Sequence, residues 1–133
     1  MTPRYGIDTS ILVRLVSGHP QADFEQCVQH LTQLVQADGA EIVASNQVIG
    51  EAYIALQHHY GVTKAEARGG LATVFRSGLV SPANGLAVFD APAADGGCGL
   101  LDRLIADDYR RADLITLTLD RKMASLPKSR RLC

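Results

Sequence analysis

Tryptophan is absent from the 133 residues, and the other aromatics amount to four tyrosines and three phenylalanines. Stacking platforms for nucleobases are therefore few. No apolar run approaches the ~20 residues that a membrane-spanning helix needs, which points away from a membrane protein. Cysteine is sparse: Cys27, Cys98 and Cys133 are odd in number and widely spaced, with no Cys-x-x-Cys pair. That argues against a disulfide framework and against a cysteine-rich zinc site, and it suits a reducing compartment. The opening Met1-Thr2-Pro3-Arg4-Tyr5 has no apolar stretch followed by a small-residue cleavage site, so a cytoplasmic location is expected. Neither sign of charge dominates, because the formal net charge is −1. A global pull toward nucleic acid is missing.

What is present is ordinary globular composition, 47% hydrophobic and 20% charged, with room for a single domain over 1–133 and one core. The charge is unevenly placed. From Arg103 onward eight Lys/Arg face four Asp, whereas before it five Lys/Arg face ten Asp/Glu. A basic tail behind an acidic body leaves room for an anionic partner.

Strand and helix signals alternate along the chain. Tyr5-Gly6-Ile7-Asp8 reads as the end of a short buried strand, and Thr9 or Ser10 as the cap of a helix through Ile11, Leu12, Leu15 and Val16. A second helix runs from Gln21 to Gln36, with Phe24, Val28, Leu31, Leu34 and Val35 at helical spacing. Glu41–Ala44 reads as a strand, followed by a helix capped at Ser45 or Asn46 and ended by Gly61. Thr63-Lys64-Ala65-Glu66 is a capping-box pattern opening a helix to about Arg76. Ser77–Asn84 is turn-rich, Leu86–Phe89 reads as a third strand, and Ala91–Gly99 as a mobile loop. A fifth helix spans Leu100–Ala112, with Leu101, Leu104, Ile105, Tyr109 and Ala112 expected to be buried. Leu114–Leu119 reads as the clearest strand, a helical turn follows Asp120, and Arg130–Cys133 as an edge strand. This alternation predicts an α/β fold with a mainly parallel sheet.

In such sheets ligands bind beyond the carboxyl ends of the strands, and Asp8 and Asp120 fall at two of those ends. The plainer reading is that each caps the helix that follows. Glu51 lies one turn from Val48 and from Ala55, beside an apolar stripe, and Asp102 borders the expected stripe of the fifth helix. Asp108 falls within that stripe. Carboxylates without Lys or Arg partners repel unless a cation neutralises them. Hard divalent ions such as Mg²⁺ or Mn²⁺ take oxygen donors and support phosphodiester hydrolysis. The four histidines lack metal spacing, so zinc is not expected.

The order and setting of these acids resemble the PIN-domain nucleases. Ile7-Asp8-Thr9-Ser10-Ile11-Leu12 is similar to their opening motif, and Asn46-Gln47-Val48-Ile49-Gly50-Glu51-Ala52 to the helix that supplies their Glu. Asp102-Arg103-Leu104-Ile105-Ala106 resembles their third motif, and Leu117-Thr118-Leu119-Asp120-Arg121 their closing strand, 18 residues beyond Asp102. The resemblance spans essentially the whole chain and is nearest to VapC-type toxins of toxin–antitoxin pairs.

It implies a PIN-like three-layer α/β/α fold around a short, mainly parallel central sheet. It also implies a Mg²⁺-dependent endoribonuclease, with Mn²⁺ as the other candidate ion, held inactive by a small antitoxin and forming a homodimer. Asp8, Asp102 and Asp120 would bind the metal directly. Glu51 would act through water or position the nucleophile, and all four acids would share one pocket. Ser10 and Thr118 would offer hydroxyls at its rim, and Arg121 and Lys122 would contact RNA phosphates. The antitoxin would lie in a groove lined by Ile11, Leu12, Leu15, Phe24 and Val28, although core packing is the plainer use of that stripe. Departures from the pattern are Ser10 in place of the more frequent Asn, the lead-in Asp95-Gly96-Gly97-Cys98-Gly99, and Arg103 with the Asp107-Asp108 pair in place of small residues. Asp95 remains a rival for the third acid.

Two other readings stand beside this one. A non-catalytic RNA-binding or scaffold protein would keep the fold and drop the chemistry. A receiver-type module would use Thr118 and Lys122 as switch residues, but Thr9-Ser10 stands where its acidic pair belongs. A haloacid dehalogenase-type phosphatase fails in the same way, because Ser10 occupies the place of its second Asp.

Overall fold

A computed structural model describes residues 2–90 and 98–133 of the chain. It is mixed α/β with short parallel sheets, and it divides into two compact units, Met1–Leu86 and Ala87–Cys133.

The first unit runs β1 (Arg4–Gly6), α1 (Thr9–Ser17), α2 (Gln21–Asp38), β2 (Glu41–Ala44), α3 (Asn46–Tyr60), α4 (Lys64–Arg76) and β3 (Ser81–Pro82). The strands form a parallel sheet in the order β1-β2-β3. Arg4 stands opposite Glu41 in that register, and its Nε meets the carboxylate at 3.0 Å, a cross-strand charge pair. Each parallel crossover needs an intervening helical segment, which α1–α2 and α3–α4 supply.

The helices begin and end where side-chain chemistry allows. Asp8 rather than Thr9 or Ser10 caps α1, accepting from the Ile11 amide, and Ser45 caps α3 through the Val48 amide. Thr63 and Glu66 form the expected capping box at the start of α4. Gly18, at φ 69°, closes α1 in the left-handed region that side chains resist. The core is built from Leu12, Leu15, Leu31, Ile42, Ile49, Leu56, Leu71, Phe75 and Val80, all buried. Leu12 and Leu71 are fully enclosed, and each such side chain contributes about 1.5–3 kcal/mol by leaving water.

The second unit runs α5 (Ala87–Asp90), α6 (Leu100–Arg111), β4 (Thr116–Thr118), α7 (Arg121–Ala124) and β5 (Ser129–Arg131). Here β4 pairs with β5 in parallel, Thr116 opposite Ser129. Cys98, Ala106, Met123 and Leu126 pack together as its core.

Three expectations about elements are corrected. Leu86–Phe89 is not a strand: Ala87–Asp90 is a helical turn that buries two consecutive side chains, Val88 and Phe89. The third strand is instead Ser81–Pro82, in the segment read as turns, and Pro82 is tolerated because β3 is an edge. The strand read over Leu114–Leu119 contracts to Thr116–Thr118. Asp113 adopts φ 61° and the Leu114 amide returns to the Tyr109 carbonyl, so these residues close α6 instead of extending β4. Leu117 and Leu119 are exposed, and Thr116 is the buried residue of the strand.

The third correction concerns which side of α6 is inside. The buried positions are Leu100, Leu104, Ala106 and Asp107, while Ile105 and Tyr109 are 40% and 45% exposed. The i, i+4, i+7 stripe therefore runs 100–104–107, about one residue away from the stripe that the apolar pattern suggests. Most of the Ala91–Gly99 loop, including Asp95, lies outside the described residues.

Candidate functional site

In the first unit, Asp8 sits directly after the strand segment, where β1 hands over to α1. Its Oδ1 accepts from the Ser10 hydroxyl at 2.6 Å and from the Ile11 amide at 3.2 Å. These two donors hold its carboxyl below the usual carboxylate range, because both favour the charged form. The plain reading of Asp8 as a helix cap is thus correct in geometry. Both of those donors meet the same carboxylate oxygen, Oδ1.

Glu51 projects from the exposed side of α3, whose buried side is Ile49, Ala52, Tyr53 and Leu56. It is therefore a flank position and not part of the apolar stripe. Thr9 Oγ1 donates to Glu51 Oε2 at 2.6 Å, and Gln47 Nε2 to Oε1 at 3.3 Å. Two consecutive residues of α1 thus each bind an acid: Ser10 holds Asp8 and Thr9 holds Glu51. Nothing in the sequence pattern pointed to Thr9 as the partner of Glu51.

In the second unit, Asp102 lies in the first turn of α6, where a negative charge favourably meets the helix dipole, and it is half-buried. Asp120 caps α7, accepting from the Met123 amide at 2.8 Å, and its own amide donates to Thr118 Oγ1 at 3.0 Å. Thr118 therefore shapes the turn that presents Asp120. Cys98 completes the group: its Sγ and one carboxylate oxygen from each of Asp102 and Asp120 lie within 4.8 Å of one another. Burial pushes the Cys98 thiol up from its ordinary pKa, the two carboxylates add to the effect, and the Arg103 and Lys122 charges oppose it. Arg103 Nε also donates to the Cys98 carbonyl at 3.2 Å, fixing the backbone at that point.

Cys98 is the site residue that sequence reasoning missed. It was read only as a free cysteine in a glycine-rich lead-in. Its place just ahead of the N-cap Gly99, close in sequence to the first turn of α6 that carries Asp102, was the available signal.

Among the described residues, Asp8, Glu51, Asp102 and Asp120 form no ion pair with Lys or Arg. Other acids behave differently. Asp107, buried, is met by Arg111 at 3.1 Å and by Arg110 at 3.7 Å, so its place in the α6 stripe is explained by neutralisation. Asp108, expected in the stripe, is exposed. Arg121 and Lys122 are exposed on α7, directly after Asp120.

The stripe expected to line a groove divides into two uses. Leu12 is fully enclosed core. Leu15, Phe24 and Val28 line a hollow of about 400 Å³, completed by Thr32, Thr73, Val74, Ser77 and Leu79.

No protein-family model, curated protein or solved structure matches the chain.

Proposed function

We propose that the chain is a metal-dependent endoribonuclease of PIN type, the toxin of a toxin–antitoxin pair, with the three-layer α/β/α fold of that family. The observation that carries the reading is the state of the acids quoted in the resemblance. Among the described residues, Asp8, Glu51, Asp102 and Asp120 form no ion pair with Lys or Arg, and Asp102 and Asp120 stand close enough for one ion to meet both. Donors of this kind fit Mg²⁺ or Mn²⁺, with Asp102 and Asp120 as direct ligands and Asp8 as the further ligand that the resemblance implies. When bound, such an ion supplies a lowered pKa for water and charge stabilisation on a phosphodiester.

The protein's own contribution is orientation. Ser10 and the Ile11 amide hold Asp8 as an anion, Thr9 and Gln47 fix both oxygens of Glu51, and the Thr118 turn presents Asp120. Arg121 and Lys122 supply positive charge for RNA phosphates. The hollow beside Leu15, Phe24 and Val28 suits an apolar helix of an antitoxin. A homodimer and a cytoplasmic location belong to the same reading.

Purified protein incubated with RNA and Mg²⁺ should cleave it, and Asp8→Asn and Asp102→Asn should each abolish cleavage with an unchanged circular dichroism spectrum. Cleavage by both variants at the wild-type rate, after removal of host nucleases, overturns the reading.

One observation favours a second reading, a non-catalytic RNA-binding or scaffold protein. Asp8 and Asp120 both have a complete structural duty as helix caps. Titration with Mg²⁺ and Mn²⁺ separates the two: saturable binding lost in Asp102→Asn supports the nuclease, and its absence supports the scaffold.

A further inference from the structure

Cys98 is a donor of a different kind from the acids beside it. The residue is 7% exposed, and its thiol has no hydrogen-bond partner among the described residues. One side packs on Ala106, Met123 and Leu126, as a small hydrophobe would. The Sγ atom, however, lies within 4.8 Å of carboxylate oxygens of both Asp102 and Asp120. Among the described residues, a buried sulfur with no hydrogen-bond partner, near two acids that form no ion pair, is an arrangement that apolar packing alone does not require.

The donor set decides which ion fits. Mg²⁺ takes oxygen and avoids sulfur, whereas Zn²⁺ and Co²⁺ accept thiolate, carboxylate and water together. In a tetrahedral site with ordinary Zn–S and Zn–O lengths, neighbouring donor atoms are about 3.5 Å apart.

We propose that Cys98, Asp102 and Asp120 form a three-ligand site for a thiophilic divalent cation, Zn²⁺ first, with a fourth position open to water. Binding transfers the thiol proton to solvent and leaves a thiolate on the ion. The site shares two acids with the nuclease and rests on that reading for the reaction the ion would serve. Its cation preference is a separate property. A thiophilic ion held there would compete with Mg²⁺ for Asp102 and Asp120, so zinc would inhibit a Mg²⁺-dependent activity or replace its metal.

Cobalt is the probe. The reduced full chain, titrated with Co²⁺ without oxygen, should develop a thiolate-to-cobalt charge-transfer band saturating at one equivalent and bleached by Zn²⁺. The band should be lost in Cys98→Ser, weakened in Asp102→Asn and Asp120→Asn, and retained in a Cys27→Ser/Cys133→Ser variant. Zn²⁺ should also slow alkylation of Cys98 in the unmutated protein while Cys27 and Cys133 react as before, a readout that needs no folded variant. Absence of the band in fully reduced protein, or its survival in Cys98→Ser, overturns the proposal. RNA cleavage in Mg²⁺ without a cobalt band removes Cys98 and leaves the nuclease standing. A cobalt band without RNA cleavage supports the metal site and removes the nuclease.

Discussion

Thr9 and Glu51, 42 residues apart in the chain, are joined by a 2.6 Å hydrogen bond from the Thr9 hydroxyl to the Glu51 carboxylate. This bond ties the first turn of α1 to the middle of α3. Thr9→Val keeps the shape and removes the donor. It should cost about 0.5–1.5 kcal/mol in denaturant unfolding, and Thr9→Ser should recover most of it. If Glu51 takes part in cleavage, Thr9→Val should lower kcat more than it raises KM. An unchanged midpoint for Thr9→Val would show that the bond contributes nothing.

Asp8 and Asp120 each combine a cap with a proposed ligand role, and two substitutions pull these apart. Asn is as good an N-cap as Asp, so Asp8→Asn and Asp120→Asn should keep near wild-type stability. Asp8→Ala should lose about 1 kcal/mol. All three should lose metal-dependent activity. Equal stability of the Asn and Ala variants would remove the capping role.

Acid should weaken the first unit through specific groups. The carboxyls of Asp8 and Glu66 both lie below their ordinary values, Asp8 through the Ser10 hydroxyl and Glu66 through the Thr63 amide. A lowered folded pKa means stabilisation that is complete above the unfolded value and is lost as pH falls through the folded one. The acid limb of a stability–pH curve should therefore begin at the ordinary carboxylate values and extend below them. Glu66→Gln, which keeps the amide acceptor of the capping box, should flatten that limb without moving the neutral plateau far. A curve with the same acid slope in Glu66→Gln contradicts the assignment.

The adjacent glycines of α4 should respond in opposite directions to the same substitution. A Cβ on Gly69 meets nothing within 4 Å, whereas one on Gly70 meets Val16 Cγ1 at 2.7 Å. Gly69→Ala should gain roughly 0.5–1 kcal/mol from helix propensity. Gly70→Ala should lose stability, because the β-branched Val16 has little rotamer freedom with which to yield. Thermal melts of the pair measure the difference directly, and a shared direction of change would contradict the close approach of α1 to α4.

Features governed by neighbours in sequence were legible from the amino acids. The capping box at Thr63 and Glu66, the strand Glu41–Ala44 and the glycine stop at Gly61 depend on residues a few positions apart. The inside of α6 was not legible, because Ile105 and Tyr109 carry the apolar signal but face outward. Asp107 faces inward because Arg110 and Arg111 neutralise it, a compensation that hydropathy does not register. β4 is shorter than its apolar run because Asp113 takes a left-handed conformation and the chain turns back on α6. At the candidate site, the acids stand out one by one from strand ends and helix faces, and the resemblance groups them. The hydrogen bond from Thr9 to Glu51, and the approach of Asp120 to Cys98 and Asp102, come from tertiary structure, 42 and 18 or more residues apart in the chain.

The capping duty of Asp8 and Asp120, set beside their proposed ligand role, has a bearing on how this chain would decay. A descendant freed from any chemistry would still need an oxygen acceptor at both helix starts, so drift there would be confined to Asn, Ser or Thr. Glu51 and Asp102 cap nothing and would wander first. Inactive cousins should therefore be recognised by the loss of positions 51 and 102, and an aspartate surviving at 8 or 120 would be a poor witness to catalysis.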